Sequence, residues 1–202
     1  MTKPTNSKKS IAAVDTEVGA LFEQALAASL QHQSEIAVNI LNELLHRDPY
    51  HARARHLLGA EYAQAGNIDN ALLELFTALE LNPAMPLARF QLGLLLLTCA
   101  RVDDAVNVWM PLDQLGNEHV LNRFRVGMLQ MVQGNFEHAR QLLATAMAEN
   151  TELPELNKEM AIVIETIFAA ANRDSPLVDA AEEDPNAQHI LVSSYLQSPV
   201  FH

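Results

Sequence analysis

Eight histidines, one cysteine and 25 acidic residues are the groups in this 202-residue chain that could carry chemistry. A metal site would need ligands that converge. His46, His51 and His56 are close in sequence, but steps of five place them poorly on one helix face, where neighbours sit three or four residues apart. No His-x3-His pair occurs, and His32, His119 and His138 are scattered. Hydrogen-bonded or exposed imidazoles are therefore expected rather than metal ligands. Cys99 is the only thiol and lies in an apolar helix end, whereas a nucleophilic thiol needs an electropositive, accessible setting. The phosphate loop Gly-x4-Gly-Lys-Ser/Thr, the dinucleotide fingerprint Gly-x-Gly-x-x-Gly and the nucleophile elbow Gly-x-Ser-x-Gly are all absent. No catalytic residue, metal or cofactor is assigned, and a protein that is not an enzyme is expected.

Charge narrows the partners. Thirteen bases against 25 acids give a net charge of -12, which opposes gripping nucleic acid or an anionic membrane. Lys3, Lys8 and Lys9 make the first 14 residues basic, whereas residues 149–184 hold ten acids and two bases. The apolar stretch Ile11–Val14 stops at Asp15, too short for a signal peptide. The run Leu92–Ala100 is far short of the roughly 20 residues that span a bilayer. A cytoplasmic protein is expected.

The elements that position these residues follow from an internal period of 34 residues. Leu58-Gly59 recurs as Leu92-Gly93 and Val126-Gly127, and Ala71 recurs as Ala105 and Ala139. Gly66-Asn67-Ile68-Asp69 recurs as Gly134-Asn135-Phe136-Glu137, with Ala100-Arg101-Val102-Asp103 as an altered copy between them. Apolar residues within each period recur at helical spacing. Pro49 and Pro83 follow helices as terminators. The pattern predicts helices over 15–31, 34–47, 52–65, 68–81, 86–99, 102–115, 119–133 and 136–149. Pro111 should kink or shorten the sixth, and Leu115-Gly116-Asn117 should form its exit turn. A ninth helix over 153–171 carries the apolar stripe Leu153, Leu156, Met160, Val163, Ile164, Ile167 and Phe168.

The stretch Arg55-x2-Leu58-Gly59-x2-Tyr62, followed by Ala71-x3-Leu75, Ala78 and Pro83, resembles the tetratricopeptide repeat (TPR) family. The resemblance covers residues 18–153, with repeats over 18–51, 52–85, 86–119 and 120–153. It implies an all-α, right-handed α-solenoid of about four TPR helix hairpins with a C-terminal capping helix over 153–171. Residues 1–14 are then a flexible basic N-terminus, and 172–202 an acidic linker with a short C-terminal helix. In this family the first helices line a concave groove that binds peptides. The columns there run Phe22, His56, Phe90, Phe124; Leu26, Ala60, Leu94, Met128; and Ser29, Ala63, Leu97, Met131. They are mainly apolar, which suits an amphipathic helix or an extended peptide with large anchors. The bland reading is that aromatic and Met stripes at helical spacing are core.

A second column is Arg55, Arg89 and Arg123, with Arg53 and Arg125 beside it. It could orient an acidic peptide, since guanidinium forks suit carboxylates. Ordinary ion pairs to acids such as Glu61 and Glu74 are the favoured alternative. The expected function is an adaptor that holds a protein or peptide partner. Small TPR chaperones of secretion systems are similar in size, acidity and repeat number, and a self-assembling subunit, such as a homodimer, is a further alternative.

Overall fold

The computed structural model describes residues 7–151, 153, 154, 156–158, 160–162, 164 and 165, with side chains from Thr16 onward. Among the described residues every regular element is helical. The chain divides into two compact units, one ending at Met85 and one starting at Pro86.

The first unit holds two helix hairpins, α1 (Ser7–Leu30) with α2 (Ser34–Arg47), and α3 (Ala52–Gln64) with α4 (Ile68–Leu81). Helix α1 begins at Ser7 rather than at 15, so most of the stretch expected to be flexible is helical. The reason is local: residues 7–14 contain no Gly or Pro, and Lys8, Lys9, Ala12 and Ala13 are good helix formers. Residues 1–6 lie outside the described residues. Val18, Phe22 and Ala25 of α1, Leu41 and Leu44 of α2, and Ala54 and Leu58 of α3 form one buried cluster. Helices α1 to α3 are therefore joined by burial of apolar surface, the main favourable term in folding.

The second unit begins with α5 (Pro86–Thr98) and α6 (Val102–Trp109), then a 3-10 helix (Met110–Leu115). Pro111 has the expected effect. The α-helical pattern stops at Trp109, because proline lacks an N–H and its ring crowds the preceding turn. Gly116 follows with φ 85° and makes the exit turn. Helices α7 (Val120–Val132) and α8 (Phe136–Glu149) form the last full hairpin. The expected cap is helical at 156–158, 160–162, 164 and 165, with Leu156 and Met160 buried. Asn150 ties it to α8: its Nδ2 donates to the Leu153 carbonyl at 2.6 Å and its Oδ1 accepts from the Leu153 N–H at 2.9 Å. Residues 166–171 of that helix, and the linker and last helix expected over 172–202, lie outside the described residues.

One turn design closes all four hairpins. His32, Gly66, Ala100 and Gly134 stand 34 residues apart, and all have positive φ, between 57° and 77°. The next N–H in each turn bonds back into its first helix, from Gln33 to Ala28, Asn67 to Tyr62, Arg101 to Leu96 and Asn135 to Gln130. This is the Schellman helix stop, which satisfies carbonyls left open at a helix end. Gly59, Gly93 and Gly127 bring the paired helices together. A Cβ on them would lie 2.9 Å from Leu75 Cγ, 2.1 Å from Trp109 Nε1 and 2.6 Å from Leu143 Cδ2, respectively. The repeat thus reuses one close contact, always between a glycine and the residue sixteen positions later.

Candidate functional site

The columns expected to line an open groove are mostly core, although Leu26, Ser29 and Ala60 are half-buried. Phe22, Phe90, Leu94, Leu97, Phe124, Met128 and Met131 are all buried, none more than 6% exposed. His56 is half-buried. In the second unit Phe90 stacks on Trp109 with centroids 5.7 Å apart, and the Phe124 ring lies 6.2 Å from it on another side. The Trp109 indole N–H donates to the Phe90 carbonyl at 2.9 Å, so the polar end of this buried side chain is satisfied. In the first unit Phe22 packs on His51 and beneath the Arg53 guanidinium, 4.5 Å from its centroid. These side chains were assigned to a partner and belong to packing. The cause is that one helix face carries both sets of positions, and the neighbouring helices take that face.

The arginine column separates by repeat. Arg55 donates through Nε to the Pro49 carbonyl at 2.9 Å and pairs with Glu74 on α4 at 2.7 Å. Both side chains of that pair are largely buried, 20% and 14% exposed, which makes it internal bracing of the α3–α4 hairpin. Glu61 takes no arginine; its Oε1 accepts from the Ser29 hydroxyl. Arg89 reaches the Val108 carbonyl at 3.3 Å. Arg123 repeats the backbone contact of Arg55, to the carbonyl of Asn117. The position matching Glu74 is Leu142, however, and Arg123 pairs instead with Glu149 and Glu118, which are 56% and 89% exposed. The hydrogen bond to Glu149, against a smaller desolvation effect, raises the Arg123 pKa, and Glu118 adds to it.

At this point the second unit is open. A cleft of about 550 Å³ lies between α7 and α8, lined by Asn117, Asn122, Arg123, Val126, His138, Gln141, Leu142, Thr145 and Ala146. Val126 is 36% exposed, although its repeat partners Leu58 and Leu92 are at most 2% exposed. Val126 forms part of the cleft floor. Leu142 and Ala146 make up the rest of that floor. The rim is polar. Asn122 is held rigidly, donating to the Gly116 carbonyl at 3.0 Å and accepting from Arg125 Nε at 2.9 Å. Arg125 is anchored in turn by Asp113. Beside the rim, hydrogen bonds from Arg140 and Gln141 hold the Glu137 carboxyl down at about 2, so it stays charged across ordinary pH.

Of the expected partner-binding residues only Arg123 lies in the cleft. Val126, Leu142, His138 and Gln141 were missed. A signal was present for Val126, a Val where two other repeats hold Leu, but not for Leu142, whose column also holds Ile40 and Val108 with Glu74 as the exception. Two histidines also have a role that sequence did not assign. His51 Nδ1 accepts from the Ala54 N–H at 3.0 Å, and His119 Nδ1 from the Leu121 N–H at 3.2 Å. They cap α3 and α7 at equivalent repeat positions. Among the described residues, no three His, Cys, Asp or Glu side chains gather as a metal site, and no helix is long and apolar enough to cross a membrane.

No protein-family model matches the chain, and no curated protein sequence matches it. Solved structures do. MamA of AMB-1 is similar with a TM-score of 0.52 at 18% identity, over 81% of this chain and 95% of that one. The Yersinia enterocolitica type III secretion translocator chaperone SycD is similar with a TM-score of 0.44 at 17% identity, over 75% of this chain and 90% of that one. At such identity the likeness to MamA is one of fold. Together with the hairpins and their 34-residue register, it makes the chain a TPR-like helical repeat protein.

Proposed function

We propose that this chain is a non-enzymatic adaptor that holds a segment of a partner protein, and that the α7–α8 cleft is where it does so. The observation that carries this reading is the exposure of Val126 at a position that two other repeats seal with leucine. Hairpin repeats present extended surface and few closed pockets, and their usual work is to hold another chain. Here the columns first expected to do that are packed, and the cleft supplies an apolar floor with a polar rim, the make-up of a binding site.

The test compares two exposed positions that are equivalent in the repeat, Leu73 on α4 and Gln141 at the cleft rim. A photo-crosslinking amino acid is placed at each in the full chain in cells, and adducts are identified by mass spectrometry. A protein that crosslinks from 141, not from 73, and disappears with Val126→Leu supports the cleft. Equal labelling from both positions, or adducts indifferent to Val126→Leu, would overturn it.

A further inference from the structure

The α7–α8 hairpin brings the apolar Val126 and Leu142 and the surface-paired Arg123 to one cleft, and that juxtaposition points to a particular ligand. The residue on α8 at the level of Glu74 on α4 is Leu142, apolar like Ile40 and Val108 in the same column, so Arg123 meets no acid at that level. Its carboxylate partners are instead Glu118 and Glu149, both well exposed. Pairs of that kind gain little over their solvated state and exchange readily. Val126 lines the cleft and is exposed, whereas Leu58 and Leu92 at the same repeat position are buried. An apolar hole therefore lies beside a guanidinium whose present carboxylates are replaceable.

Resting on the reading of the cleft as a binding site, we infer that it selects a peptide segment with a large apolar side chain next to an Asp or Glu. The apolar side chain enters over Val126 and Leu142. The carboxylate takes the place of Glu149 on Arg123 Nη1, where a charge-assisted hydrogen bond is available. Arg55 does not offer this, because its own pair with Glu74 is largely buried. Arg123 is thus a specificity determinant, and Glu149 a resident competitor.

The probe is a phage-displayed random heptapeptide library panned on the full chain, with enriched peptides remade and measured by fluorescence anisotropy. Enriched peptides should share an acid within two residues of Leu, Phe, Met or Trp. Arg123→Gln and Val126→Leu should each weaken them about tenfold or more. Glu149→Gln should tighten them about threefold, by removing the competitor. Val126→Leu installs the residue found at 58 and 92, and circular dichroism and melting temperature report whether each variant is folded. If Arg123→Gln does not fold, Glu149→Gln decides: unchanged or weaker affinity overturns the assignment. Enriched peptides without an acid that still lose binding with Val126→Leu overturn the carboxylate preference and leave the binding cleft standing. No enrichment, or binding indifferent to Val126→Leu, overturns the cleft itself.

Discussion

A histidine that caps a helix must keep its Nδ1 unprotonated, because that atom accepts the backbone N–H. His119 does this for α7 with no ring partner to complicate the reading. Replacing it with alanine should cost about 1 kcal/mol, the usual loss of an N-cap, whereas asparagine, among the best capping residues, should cost far less. Urea denaturation of the three proteins checks the order, and equal losses for Ala and Asn would show that the imidazole matters for something else. Glu61 makes the opposite case. It is 2% exposed, Ser29 satisfies one carboxylate oxygen, and the other has no partner. The same repeat position holds Leu95 and Leu129. A buried acceptor without a donor is costly, and an apolar residue of similar size removes that cost. Glu61→Leu should raise stability by about 1–2 kcal/mol in the same denaturation experiment. A loss would mean that the Ser29 bond outweighs the open oxygen.

At the scale of the element, the repeat explains what sequence could and could not show. Helices 34–47, 68–81 and 136–149 were legible to the residue, because each is bounded by a left-handed turn on one side and a helix stop on the other, both set by local residue types. The break at Pro111 was legible for the same reason. The fate of the Phe and Met columns was not, since periodicity says which face is apolar and not what covers it. Burial of Phe90 depends on Trp109, nineteen residues on, and on Phe124 in the next hairpin. The degraded turn at Ala100 gives a sharp test. Alanine adopts φ 57° there, as glycine does at 66 and 134, and for a residue with a Cβ this conformation costs roughly 1–2 kcal/mol. Ala100→Gly should recover about 1 kcal/mol, with the added flexibility of the unfolded glycine chain setting off the rest. A melting temperature that falls would show that the Ala100 methyl is engaged in packing worth more than the strain.

At the scale of the whole molecule, stability in a repeat protein is close to a sum of local units and the contacts between neighbours. This chain has two compact units of two hairpins each, and the same glycine contact closes α3–α4 in the first and both hairpins of the second. Gly93 is the place to load one of them. Its Cα faces the Trp109 ring, and an added Cβ would fall 2.1 Å from the indole nitrogen. That ring is fully buried, stacked on Phe90 and hydrogen-bonded to it, so it has nowhere cheap to go. Gly93→Ala should therefore cost about 1–3 kcal/mol through overpacking, even though alanine is the better helix former. Native-state hydrogen exchange shows where the loss is felt. Amides of α5 to α8 should exchange faster, by a factor of up to about ten for each 1.4 kcal/mol, while those at the centre of α1 to α3, with their own cluster around Phe22 and Leu41, keep their protection. Acceleration of equal size in every helix would mean that the chain opens only as one cooperative body, and the unit starting at Pro86 could then not loosen to admit a ligand without unfolding the unit that ends at Met85.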